Sequence, residues 1–192
     1  MAADLSTLLS QPSSPPFIYL HHPHHPSSSA LPAVLPSRCL VARLDAYEHY
    51  TPRLLLSGAL NKLVPTEEGV EISTWDGFAR RLKGIWSDLS RSTANGHGDK
   101  KSKGKVKDAF HGDETSIQIV VVVTKAERLR IVLGSGWSVI TRIAEMTGVP
   151  VTVLLASSAP WDEIRPPRGD ALEPIHIYLP PPTRDGKSRP GI

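Results

Sequence analysis

The chain has 192 residues and 40% hydrophobic content, which allow one domain of ordinary size with a substantial core. A net charge of +3 does not by itself indicate a nucleic-acid-binding protein, and the single cysteine, Cys39, excludes an internal disulfide and a cysteine-based zinc site. Residues 1–9 lack a basic start and a long apolar stretch, so we expect neither a signal peptide nor a membrane span there.

Proline and glycine divide the chain into an expected ordered domain and flanking segments. We predict a flexible N-terminal segment at 1–15, an α/β domain at 16–182 and a flexible tail at 183–192. Within the domain, a polar insertion at about 91–115 is predicted to be disordered. Its basic run KKSKGKVK, at 100–107, is compatible with a nuclear-import signal, a loose DNA contact or a solvated loop.

The first predicted strand, at 17–20, runs into an unusual loop, HHPHHPSSS. In a doubly wound fold this place belongs to a phosphate-binding loop, whose glycines let backbone N–H groups converge and whose lysine reaches the phosphates. The present loop has neither glycine nor lysine, and its two prolines remove N–H donors. Ser27 and Ser28 can still cap a following helix and offer a weak anion site, so a nucleotide pocket and a structural loop both remain open.

The four histidines of this loop also suggest a transition-metal site, because imidazole is the commonest ligand for such ions. Adjacent histidines separated by prolines rarely converge on one ion, however, and the loop holds no carboxylate. We therefore favour a solvated loop over a metal site.

A second predicted strand, at 39–44, precedes the clearest helix of the chain. Thr51 is placed to cap this helix, and Pro52 suits its first position. Arg53 and Lys62 are predicted to face solvent. The predicted apolar face consists of Leu54, Leu55, Leu56, Ala59, Leu60 and Leu63.

A further helix is predicted from a cap at Ser73 or Thr74 through Ser90. Its apolar residues recur at spacings of three and four, which places Trp75 and Trp86 on one stripe. Such a stripe is more typical of core packing than of a ligand site.

The strongest strand signal lies at 117–123, where β-branched residues follow one another without alternation between two faces. This pattern is typical of a central strand in a parallel sheet that is covered on both sides. In nucleotide-binding α/β proteins, such a strand usually ends in a carboxylate that holds Mg²⁺. Here the end position is Thr124, followed by Lys125 and Glu127. The sequence thus predicts a nucleotide-type scaffold without its usual metal ligand.

The remaining elements complete an alternation of strands and helices. A short helix is predicted at 125–130 and a longer one at 137–147, which ends at Gly148. Strands are predicted at 149–156 and 174–179. This order specifies a three-layer α/β sandwich with a five-stranded parallel sheet. The inward side of the longer helix is predicted to contain Val139, Ile140, Ile143, Ala144 and Met146.

Ser157 and Ser158 follow the predicted strand at 149–156. Polar residues in this position face the ligand crevice of an open α/β sheet, although they can equally serve to cap the strand end. Both interpretations remain open on the sequence alone.

Several segments resemble the ATPase-like domain of origin recognition complex subunit 5, in a truncated and fungal-like form. The resemblance covers about residues 15–182 in the right order and at plausible spacing. KAERLR and the W-x-x-x-R-P pattern are together fairly specific. The segments that carry it include FIY at 17–19, TPRLL at 51–55, NKL at 61–63, VVTKAERLR at 122–130, VTVLL at 151–155 and WDEIRP at 161–166.

This resemblance implies an AAA+ or P-loop NTPase-like base subdomain, with the family's lid and winged-helix domains absent. The family's Walker A loop would fall on 20–28, which includes Ser27 and Ser28, and the end of its Walker B strand on Thr124. The sequence departs from the family at both motifs, so ATP hydrolysis is not expected. Arg165 stands where AAA+ proteins place an arginine that reaches a neighbour's nucleotide, here on subunit 4. A surface salt bridge is the alternative for Arg165.

The implied function is that of a non-catalytic subunit, which contributes to assembly of the origin recognition complex and to helicase loading. Its implied partners are subunits 4 and 3 and, through the complex, origin DNA in the nucleus; no membrane partner is expected. No cofactor is expected, and ATP binding is implied by the family resemblance only. The alternatives are an AAA+ ATPase with a divergent phosphate loop and a stand-alone α/β binding module.

Overall fold

The computed structural model describes part of the chain in detail. None of the helices in this part is long and apolar enough to cross a membrane. The predicted tail at 183–192, the histidine loop beyond Pro23 and most of the predicted insertion at 91–115 lie outside it. The described residues are 5, 7–9, 11, 14–23, 35, 39–65, 69–95, 118–166 and 171–178.

The sheet confirms the predicted architecture, because its five strands are all parallel. The order across the sheet is β2-β3-β4-β1-β5, so the two strands with the strongest apolar signal, β3 and β4, lie in its interior. The observed bounds differ from the predicted ones by at most two residues at the described ends. The strands are β1 (Phe17–His21), β2 (Cys39–Asp45), β3 (Gln118–Thr124), β4 (Val151–Ser157) and β5 (Ile175–Tyr178).

The helices follow the strands, as parallel connections require. The predicted cap of α1 is present, since the Thr51 hydroxyl accepts a hydrogen bond from the Leu54 amide at 3.2 Å. Two 3₁₀ turns, Ala126–Arg128 and Gly134–Gly136, flank α3. The described helices are α1 (Pro52–Leu63), α2 (Trp75–Asn95), α3 (Leu129–Leu133), α4 (Trp137–Thr141), α5 (Ile143–Thr147) and α6 (Trp161–Ile164).

Two hydrophobic cores lie on opposite faces of the sheet. Every residue of β3 is buried, and its side chains alternate between the cores: Val121 and Val123 contribute to the larger core, Val120 and Val122 to the smaller. The larger core also contains residues from all six helices, including Trp75 and Trp86 as partly buried members, as the stripe predicted. Burial on both faces explains why the β3 sequence lacks alternation.

The N-terminal segment, predicted as flexible at 1–15 apart from one helical turn that the sequence allows around Leu5, Leu8 and Leu9, is described in part. A helical turn is present, and Leu5 and Leu9 are 3% and 2% exposed in the smaller core. Farther along, Ser14 is hydrogen-bonded to Thr152 at 3.0 Å and accepts a hydrogen bond from Gln118. The segment is therefore held to the sheet by two buried leucines and by polar contacts at the amino ends of β3 and β4.

The helix predicted at 137–147 is interrupted at Arg142, and this changes which residues face the core. Thr141 is fully buried; its hydroxyl donates to the Ser138 carbonyl at 2.7 Å and accepts from the Leu172 amide at 3.3 Å. The first helix ends there, and a second helix, α5, begins at Ile143; its buried residues are Ile143 and Thr147. Met146, predicted to point inward, is 47% exposed, so that prediction was wrong.

Two other predictions from helix periodicity need correction. Leu54 lies near the beginning of α1 and is 40% exposed, so the buried face is narrower than predicted. Helix α2 continues through Asn95 rather than ending at Ser90, and its last turn therefore occupies the beginning of the predicted insertion. Residues 96–115 of that insertion lie outside the described part of the chain.

Candidate functional site: the carboxyl edge of the sheet

The strand register brings the predicted site positions to one edge of the sheet. Asp45 of β2 is paired with Thr124 of β3, and Thr124 is paired with Ala156 of β4. Ser157, the last residue of β4, pairs with His21 of β1. Because ligands of open α/β sheets bind outside the carboxyl ends of their strands, this edge is the candidate site.

Thr124 ends β3, as predicted, but its hydroxyl is used within the sheet. It donates a hydrogen bond to the Leu44 carbonyl at 3.2 Å, and the residue is 7% exposed. The hydroxyl is neutral, so it lacks the negative charge with which a strand-end carboxylate holds Mg²⁺.

Lys125 follows Thr124 but turns toward β2. Its backbone is left-handed, with φ of 55°, and its ammonium group lies 2.8 Å from the Asp45 carboxylate. This hydrogen bond raises the pKa of Lys125. The charge is thereby neutralised at the β2 end of the edge, and Lys125 does not replace the missing lysine of a phosphate loop.

The Tyr47 ring contacts two cationic side chains of the same region. The ring lies 4.8 Å from the Lys125 ammonium and 4.4 Å from the Arg128 guanidinium. Its backbone amide donates to the Asp45 carboxylate at 2.8 Å. Both cations of the β3–α3 connection are thus directed toward the segment after β2, away from the end of β1.

Glu127 provides a carboxylate that the sequence interpretation did not include among the site residues. It accepts a hydrogen bond of 2.5 Å from the hydroxyl of Ser157, beside the end of β1. The same hydroxyl accepts a 3.1 Å hydrogen bond from the Ala159 amide. Ser157 therefore caps the strand end, which was one of the two interpretations left open by the sequence, and it is fully buried.

Tyr19 completes this polar group from the interior of β1. Its hydroxyl donates to the Ala159 carbonyl at 2.6 Å, and the side chain is fully buried. Burial raises the pKa of Tyr19 from 10.0 to about 12; the hydrogen bond with Ser157 lowers it by less, and the charges of Glu127 and Glu163 raise it further. Tyr19 is a neutral hydrogen-bond donor at any physiological pH.

The histidine loop is described only at its beginning. The His21 ring is hydrogen-bonded through Nε2 to the Ser158 carbonyl at 3.1 Å, and the His22 amide donates to the Ser157 carbonyl at 2.9 Å. Ser27 and Ser28, the predicted phosphate-loop positions, lie outside the described residues. Among those that are described, no three His, Cys, Asp or Glu side chains are grouped so that they could hold a metal ion.

Arg165 lies apart from this polar group, directly after α6. Its guanidinium is 3.5 Å from the Asp162 carboxylate, and the side chain is 39% exposed. The salt bridge considered for this residue is therefore present. It is long, and its partner is 84% exposed, so it leaves the guanidinium accessible.

Comparison with known proteins bears on the fold. No protein-family model and no curated protein matches the sequence. A chain from the "Structure of Drosophila ORC bound to DNA" matches with a TM-score of 0.69 and 20% identity over 92% of the present chain and 41% of its own. The chain therefore shares the fold of this Drosophila ORC chain over 92% of its own length.

Two archaeal structures share this fold. The Walker-type ATPase PABY2304 of Pyrococcus abyssi has a TM-score of 0.56 and 14% identity, covering 93% of this chain and 53% of its own. The ORC2 protein of Aeropyrum pernix, solved as ADPNP–ADP complexes, has a TM-score of 0.52 and 11% identity. The match covers 92% of this chain and 46% of the ORC2 chain. At these identities the likeness establishes the fold alone. The present chain spans between 41% and 53% of the length of these three chains.

Proposed function

We propose that this chain is a non-catalytic subunit of the origin recognition complex, which contributes to the assembly of that complex at replication origins and to helicase loading. Two observations support the proposal together. The chain has the AAA+ base-domain fold seen in a Drosophila ORC chain. Among the described residues at its sheet edge, Thr124, Lys125 and Glu127 are bonded to Leu44, Asp45 and Ser157, respectively.

The second observation carries the proposal, because phosphate binding needs unoccupied donors and positive charge. Lys125 is bound to Asp45, and Thr124 donates to Leu44. Among the described residues, the Glu127 carboxylate, held by Ser157, lies beside the end of β1, and its charge repels a phosphate group. The described edge does not fit a Mg²⁺–nucleotide, so we propose that the chain works without nucleotide hydrolysis and without a resident cofactor.

In this function the exposed Arg165 is the contact with a neighbouring subunit. A guanidinium is permanently charged and binds phosphate or carboxylate with two parallel N–H groups, which suits an interface with a nucleotide-bearing neighbour. By the family resemblance, that neighbour is subunit 4, with subunit 3 as the other contact. The proposed location is the nucleus, with origin DNA reached through the complex.

Capture experiments with purified subunits test this proposal. The full chain should retain subunit 4, and Arg165→Ala should lower the affinity about tenfold, as expected for an arginine at the centre of an interface. Arg142→Ala is a matched control, because Arg142 is 48% exposed and also pairs with a carboxylate three residues away. Equal effects of the two substitutions, or no capture of either subunit 4 or subunit 3 by the unmodified chain, would contradict the proposal.

A further inference from the structure

Helix α6, which precedes Arg165, is too short to be stable on its own. It comprises four residues, Trp161–Ile164, and a single helical turn gains too few hydrogen bonds to offset the entropy of ordering its backbone. Its position must therefore come from contacts with the rest of the domain. Trp161 supplies packing, since its ring lies 5.4 Å from Phe17 and 5.2 Å from Tyr19 between ring centres.

The peptide unit between Ile164 and Arg165 is fixed at both of its polar groups. Its carbonyl accepts a 3.0 Å hydrogen bond from the indole N–H of Trp137, which is 2% exposed. Its amide donates a 2.8 Å hydrogen bond to the Trp161 carbonyl. A peptide unit is planar, so these two bonds fix the direction in which the chain enters Arg165.

The chain is also restricted where it leaves Arg165. The next residue, Pro166, is buried, and proline disfavours helical backbone angles in the residue before it. Arg165 accordingly has φ of −54° and ψ of 146°. The backbone of Arg165 is thus constrained on both sides, whereas its own ion pair with Asp162, at 3.5 Å, adds little constraint.

We propose that Trp137 is a positioning residue for Arg165, whose indole N–H holds the guanidinium in the direction needed to bind a phosphate or carboxylate group of the neighbouring subunit. The inference rests on the proposed function, which makes Arg165 the interface residue. A guanidinium on a fixed backbone loses less conformational freedom when it binds, and its affinity rises accordingly. Trp137 touches no partner; it acts through the Ile164 carbonyl.

Trp161 provides a matched control for Trp137. Both are buried tryptophans of the same aromatic cluster, with ring centres 6.0 Å apart. The indole N–H of Trp161, however, is buried without a hydrogen-bond partner among the described residues. Trp137→Phe and Trp161→Phe remove similar ring volume, but only the first removes a hydrogen bond, so their difference isolates that bond.

Binding of purified subunit 4 and hydrogen exchange at the Arg165 amide test the inference. Trp137→Phe should lower the affinity about two- to tenfold, as loss of one hydrogen bond implies, and should speed exchange at Arg165. Trp161→Phe, which keeps an aromatic ring and removes no hydrogen bond, should have a clearly smaller effect on both. In an Arg165→Ala background, Trp137→Phe should have no further effect on affinity, whereas a merely structural role would lower affinity alike in both backgrounds.

The possible failures are distinguishable. If the unmodified chain does not bind subunit 4, the proposed function fails, and the role of Trp137 at an interface fails with it. If the chain binds but Trp137→Phe leaves affinity and exchange unchanged, or matches Trp161→Phe, the inference alone is overturned. If Trp137→Phe does not fold, Pro166→Ala relaxes the same backbone from the other side; it must weaken binding, and unchanged affinity would overturn the inference.

Discussion

Glu127 and Tyr19 show how side chains far apart in sequence build the carboxyl edge. The sequence placed Tyr19 within the first strand and Glu127 in the segment after the third, yet Glu127 contacts the last residue of β4 and Tyr19 contacts the turn after it. A carboxylate three residues beyond a strand end is a signal that could have identified Glu127. For Tyr19 no such signal exists, because its partner, the Ala159 carbonyl, lies 140 residues away.

The buried Tyr19 hydroxyl predicts a stability change in alkaline solution. Its pKa is about 12 in the folded chain and near 10.0 in the unfolded chain. Between these values the unfolded chain loses the proton while the folded chain retains it. The free energy of unfolding should therefore fall as the pH rises from 10 toward 12, and this contribution is fully present only below pH 10.

Urea unfolding at stepped pH, together with phenolate absorbance of the folded chain, measures this effect. Tyr19→Phe should remove the phenolate signal near pH 12. It should also reduce the fall in the free energy of unfolding between pH 10 and pH 12. Tyr50→Phe is the control, since Tyr50 is 67% exposed, and this change should leave both intact. Persistence of the late signal in the Tyr19 variant would contradict the assignment.

At the scale of elements, the sequence located all five strands. The signal is strongest for β1, β3 and β4, because a strand that is buried on both faces requires an unbroken apolar run. Helix α1 could also be predicted from the sequence, since Thr51 and Pro52 mark its beginning. The helix interruption at Arg142 could not be predicted, because it depends on contacts of Thr141 with Ser138 and with Leu172, a residue distant in sequence. Local periodicity cannot reveal such a tertiary contact.

The N-terminal helical turn is another element whose role depends on tertiary packing. Leu9→Ala should lower the free energy of unfolding by about 2–4 kcal/mol, because it removes a fully buried leucine from the smaller core. Leu8→Ala, in the same turn but only half-buried, should cost clearly less. Chemical denaturation gives both values; equal and small losses would show that the turn does not pack on the sheet in solution.

At the scale of the whole molecule, two cores cover the sheet. Among the described residues at its carboxyl edge, Glu127 is bonded to Ser157 and Lys125 to Asp45. The three similar structures have chains about twice as long as this one, or longer. The described part of the chain thus combines a fold shared with longer chains and a surface that presents Arg165.

Steady-state ATP hydrolysis by the purified full chain, with Mg²⁺ present, tests this account most directly. Because Thr124 and Lys125 are bonded within the sheet edge, we predict no phosphate release above a protein-free blank, and no change on Thr124→Ala. The account would be contradicted by ATP turnover that is lost on Thr124→Ala or on replacement of Ser27 and Ser28 by alanine.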